Sequence, residues 1–144
     1  MPTREAVMTA LQSMLAGLGS FAIVSRRNRS PETIGPSQSP ALFLLEHSED
    51  YHTSAVNLPP VRSLTVSVVI YNDVGPNNDA IPSTVVNQML DAIDAALAAR
   101  DPGTGRYTLG GLVYSVVAEG AVEKAPGDKT GKSLAIVPLK IILP

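Results

Sequence analysis

The chain has 144 residues, a length that suggests one domain and lets roughly 70% of the unfolded surface be buried without help from disulfides or metals. It has no cysteine, which excludes a disulfide scaffold, thiolate metal sites and a cysteine nucleophile. Eleven basic against 13 acidic residues give a net charge of −2, the opposite of the excess that non-specific duplex binding uses, and at 44% apolar and 17% charged the chain is globular with a surface short of charge.

Met1-Pro2-Thr3-Arg4-Glu5 lacks the continuous apolar centre of a secretory signal. No apolar run reaches the roughly 20 residues of a membrane helix, so the expectation is a soluble protein made in a cytoplasm. Over residues 3–17, Val7, Leu11, Met14 and Leu18 form one apolar helical stripe, with Thr3 as its cap and Gly17 and Gly19 at its end. Residues 20–25, rich in β-formers, predict a strand that leaves through the basic run Arg26-Arg27-Asn28-Arg29. Three prolines, a glycine and three serines make residues 30–40 a loop able to reach beyond the body of the domain.

Ala41-Leu42-Phe43-Leu44-Leu45 reads as a strand buried on both faces, leaving the core into the polar loop Glu46-His47-Ser48-Glu49-Asp50. A second loop surrounds Asn57-Leu58-Pro59-Pro60. Residues 64–71 alternate cleanly, with Leu64, Val66, Val68 and Ile70 on one face. After a turn-rich stretch from Asn72 to Pro82, Ser83 is the expected cap of a helix with Val86, Met89, Leu90, Ile93 and Leu97 on one side and Asn87, Asp91 and Asp94 on another. Strands over 112–119 and 134–143 complete the chain. In the second, Leu134 and Ile136 keep one phase and Leu139, Ile141 and Leu143 the other, so Pro138 marks an edge position or a bulge that flips the buried face. The fold class predicted is α+β: one domain over 1–144, a mostly antiparallel twisted sheet with two amphipathic helices packed on it.

Four groups of residues bear on chemistry. Gly127-Asp128-Lys129-Thr130-Gly131-Lys132-Ser133 resembles a phosphate-binding loop, but it has three residues between its glycines instead of four and a β-rich run after it, so it reads as a lysine-bearing hairpin loop. Glu46 to His52 holds both histidines and three carboxylates. A metal could use them, yet a strand leaving the core gives the same composition, and no distant third ligand or nucleophile elbow is signalled. Asp91 and Asp94, neighbours on a helix, read as a solvated face or half of an ion pair. Arg26, Arg27 and Arg29 repel one another unless solvated or paired; a solvated loop, an acidic protein neighbour and a nucleic-acid phosphate path all answer that need. The six aromatics are too scattered for a single-strand stacking platform.

The ordered set of segments resembles the tail terminator proteins of long-tailed bacteriophages. It rests on the N-terminal amphipathic helix, the strand Pro40-Ala41-Leu42-Phe43-Leu44-Leu45-Glu46, the strand ending Ile70-Tyr71, the helix Val86 to Leu97, the run Tyr107-Thr108-Leu109-Gly110-Gly111-Leu112-Val113 and the closing Ala135-Ile136-Val137-Pro138-Leu139-Lys140-Ile141. The resemblance implies a structural virion protein without catalysis, cofactor or metal. It implies a homo-hexameric ring that caps the tail tube, stops its polymerisation, and joins it to the head connector or stopper protein. DNA would pass through the lumen without being read by sequence, and no membrane is involved. The candidate ring and neck contacts are Arg26, Arg27, Arg29, Lys124, Lys129 and Lys132, in the polar loops 26–40 and 119–132; Asp91 and Asp94 are the candidate inter-subunit acidic face. Another neck or head-completion protein, the cap of a contractile injection apparatus, and a small enzyme using the histidine-rich segment are the other readings.

Overall fold

The structure, a computed structural model, describes residues 2–77, 79–125 and 131–144. Helix α1 spans Arg4–Ala16, and the Thr3 side chain accepts a hydrogen bond from the Ala6 amide at 3.1 Å, as a cap should. Its buried residues are Val7, Met8, Leu11 and Leu15; the predicted Met14 and Leu18 lie at the margin of the core. Strand β1 (Ile23–Ser25) follows, then two 3-10 turns at Pro31–Thr33 and Pro36–Gln38, then β2 (Ala41–His52) and β3 (Val61–Asp73). Helix α2 covers Pro82–Ala98, and β4 (Ser115–Ala118), β5 (Glu123–Ala125) and β6 (Lys132–Ile142) end the chain.

These elements make a single α+β domain, two helices on a six-stranded mixed sheet of order β1-β2-β3-β6-β4, with β5 also paired to β6. Among the described residues only β1 and β2 run parallel, and every other pair is antiparallel. Leu42 and Leu44, Leu64 to Ile70 in alternation, and Ala135, Val137, Leu139 and Ile141 point to one face, where the apolar sides of both helices bury them in one core. At the start of α2, the buried Asn72 donates from Nδ2 to the Pro82 carbonyl at 3.0 Å, tying the helix to the end of β3.

The opposite face carries a second, smaller core of Ala41, Phe43, Val69 and Tyr71, with Leu134 and Ile136 beside it. Its roof is Ile34, 1% exposed, from the predicted reaching loop. That loop is thus folded back over its own sheet, and Lys132 Nζ donating to the Pro31 carbonyl at 3.3 Å and Ser39 Oγ accepting from the Asp73 amide at 3.0 Å hold its two ends. Residues 41–44 are buried on both faces, as their unbroken apolar run predicts.

Four expectations need correction. Strand β2 does not stop at Leu45: it continues through the polar segment to His52, because β3 pairs with it throughout, with a bulge between Glu46 and Ser48. The cap position of α2 is Ile81, which makes no side-chain bond, and Pro82 opens the helix in place of a Ser83 cap; proline has no amide to satisfy there. Pro138 flips nothing, since β3 and β6 keep one register from Ser63–Ile142 to Asp73–Lys132 and Ser133, Ala135, Val137, Leu139 and Ile141 are buried in strict alternation. Its carbonyl accepts from the Glu119 amide at 3.2 Å, but it has no N–H to return, and there the partner strand breaks between β4 and β5. Residues 123–125 therefore form a strand that the sequence did not announce. The predicted strand over 112–119 shortens to four residues, since Leu109, Gly110 and Gly111 all have positive φ and turn the chain before it.

Ile34→Ala should cost about 2–4 kcal/mol, in the range of large-to-small core changes. Urea unfolding measures it, and limited proteolysis should cut within residues 26–40 faster than in the parent.

Candidate assembly surfaces

The predicted contact residues do not form one patch. Arg26 is engaged within the chain: Nη1 and Nη2 donate to the two carboxylate oxygens of Glu5 at 2.8 and 3.0 Å, and Nη2 lies 3.7 Å from Glu46. This bidentate fork joins the exit of β1 to α1 and to β2, and answers the repulsion expected in the arginine run. Arg27 and Arg29 are exposed and make no side-chain bond or ion pair among the described residues. Lys132 belongs to the loop-covered face through its bond to Pro31. Lys124, on β5, donates instead to Asn87 Oδ1 of α2 at 3.1 Å. Lys129 and most of the phosphate-loop-like run lie outside the described residues, and the strand β6 follows Gly131 directly.

Asp91 and Asp94 are exposed on α2 and line a hollow of about 360 Å³ between that helix and the edge of the sheet, with Lys124 and Val122 on its far wall. A second hollow of about 460 Å³ adjoins it, sharing Asp94 and Ala118 and extending past Arg100, Arg106 and Val117. Strand β4 forms this border of the sheet. Outside its ladder with β6, its amide at Val116 donates to the Tyr107 carbonyl at 3.0 Å, and the Arg106 guanidinium lies over the Tyr114 ring at 3.8 Å.

Extended strand places the two histidines about 15 Å apart along β2, His47 in the bulge and His52 at the tip end. Two of the carboxylates beside them already have arginine partners: Glu46 faces Arg26, and Glu49 takes both Arg4 Nε at 2.5 Å and Nη2 at 2.8 Å. Among the described residues no three His, Asp or Glu side chains gather as a metal ion requires, and no helix is long and apolar enough to cross a membrane.

The principal surface feature was not foreseen. Every residue from 46 to 61 is exposed, and at the far end of this stretch β2 and β3 outrun their neighbours as a short two-stranded arm with residues 53–60 as its tip. The ladder with β6 ends at Ser63, and just past it the Leu143 amide donates to the Arg62 carbonyl at 3.0 Å, so the rung His52–Val61 and residues 53–60 are the part that stands free of the third strand. Arg4, in the first turn of α1, holds the base of the arm through Glu49 and through Tyr51 Oη at 2.9 Å. The one available signal was length: Tyr51-His52 and Val61-Arg62-Ser63 flank a short turn-rich stretch, but on a free arm nothing is buried and no period appears. No family model matches the chain, and no curated protein matches it.

The two arginine forks hold the Glu5 and Glu49 carboxyls below the usual carboxylate range, in each case first through the hydrogen bonds from the guanidinium, Arg26 for Glu5 and Arg4 for Glu49. A lowered folded-state pKa contributes stability that is present above the ordinary carboxylate pKa and is lost as pH falls through the lowered one. The chain should therefore lose stability on acidification from pH 6 to pH 3. The Glu5→Gln/Glu49→Gln double variant should lose less over the same interval, read as the shift of the urea midpoint at each pH.

Proposed function

We propose that the chain is a structural subunit that acts by self-association, of the tail-terminator kind. Copies close into a six-membered ring that caps a tail tube, removes the edge to which further tube subunits would add, and offers its other face to the head connector. The observation that carries the reading is the arm. A pair of strands beyond the rest of its sheet is marginal in water by itself, and this one has an apolar tip, Val56 97% and Leu58 58% exposed, that gains only when another chain covers it. The α+β layout, with its N-terminal helix, long central strands and second helix, supports it as the arrangement on which the terminator resemblance rests.

In this reading the mechanism is geometric. A closed ring of heterologous contacts matches the symmetry of the tube on one face and leaves no growing end, so the activity lies in shape and surface. Arg27 and Arg29, solvated and unpaired among the described residues, are the cations free for a neck protein or for DNA phosphates in the lumen.

Native mass spectrometry and negative-stain electron microscopy of the purified chain should show a closed particle of six copies with a central opening. Arg27→Ala/Arg29→Ala should leave the ring intact while fewer tails join heads; tails of normal length joined at the parental frequency would remove that loop from the reading. A chain that stays monomeric at every concentration, or that turns over a small molecule, overturns the reading as a whole.

A further inference from the structure

The large apolar side chains left exposed are not scattered. Among the described residues, Tyr51, Val56, Leu58 and Val61 are on the arm, Tyr114, Val117 and Val122 are along the β4–β5 border, and Ile81 alone is elsewhere. Within one chain Val117 and Val122 lie away from the arm. Ser63, Ile142 and Ser115 lie level across β3, β6 and β4, and the arm runs from that level in one direction while Val117 and Val122 lie in the other. Two strand spacings, about 10 Å, also separate β3 from β4.

We infer that the arm of one copy docks in the hollows between α2 and the β4–β5 border of a second copy, its apolar tip meeting Val117 and Val122. Charge agrees with this pairing. Asp50, at the base of the arm, has no ion pair among the described residues, and neither does Arg100, which lines the larger hollow at the end of α2. Of the other charges nearby, Glu49 is held by Arg4 with Arg62 beside it, Arg106 lies over Tyr114, and Lys124 is bonded to Asn87 within the same hollow as Asp91 and Asp94. The two surfaces differ, so the contact is head-to-tail, the kind that propagates around a ring when its rotation closes. The inference rests on the self-association reading and names the surfaces that serve it.

The absence of cysteine makes the test clean. Val56→Cys and Val117→Cys are prepared separately, mixed, and treated with a short bis-maleimide; both positions are exposed, so neither substitution opens the core. The expected result is a covalent dimer in the mixture and none in either variant alone. Val56→Ser/Leu58→Ser, with an unchanged circular dichroism spectrum, should shift the native mass from oligomer to monomer by a dilution factor of ten or more. An oligomer that survives that double substitution, together with no link in the mixture, overturns the arm contact while leaving the ring in place. A parent chain that is monomeric throughout removes the ring reading and this contact with it.

Discussion

A strand with a proline in its middle can keep a full ladder on one side only, and β6 is built around that limit. It pairs with β3 over its whole length, from Ser63–Ile142 to Asp73–Lys132, without a slip. On its other side the missing N–H of Pro138 divides the partner into β4 and β5. This break makes the border of the sheet: residues 119–122 leave the ladder, and Val122 and Lys124 come to face α2. The smaller of the two hollows beside the helix lies at this break, with Val122 and Lys124 in its wall.

Burial on two faces is the second constraint. A sheet with helices on one side needs a cover wherever its outer residues are apolar. Here Phe43, Val69 and Tyr71 supply such a region at one end, and the chain answers with Ile34. Farther along the same strands the outward residues become Ser67, Thr65 and Ser63, and no such cover is needed. The change from apolar to polar along β3 thus separates a region closed by the chain itself from one left open.

Where tertiary burial and local pattern agreed, the sequence was readable. The alternation of Leu64 to Ile70, the double-faced run at Ala41–Leu44 and the stripe of α2 all appear where the residues predict them. The failures share one cause, pairing energy supplied by a neighbour. Glu123-Lys124-Ala125 has little intrinsic taste for a strand, and Glu46 to His52 reads as loop, yet each is held extended by a partner whose own preference is strong. At Pro138 the reason is the opposite: Leu134 and Ile136 are the larger side chains of their stretch but serve the second core, while the smaller Ala135 and Val137 point into the main one. For the contact residues, the charge cluster at Arg26, Arg27 and Arg29 is visible, but its division into one locked guanidinium and two that are unpaired among the described residues depends on Glu5 and Glu46, distant in sequence.

The fork from Arg4 to Glu49 has a mechanical meaning. A pull on the tip of the arm opens the rung His52–Val61 and at once meets tethers on the next rung, Tyr51 to Arg4 on one strand and the Arg62 carbonyl to the Leu143 amide on the other. There the tension passes sideways into α1, whose Val7, Met8, Leu11 and Leu15 are clamped in the main core. The fourth residue of the chain thus shares with Leu143 the task of stopping the hairpin from unzipping past its first rung.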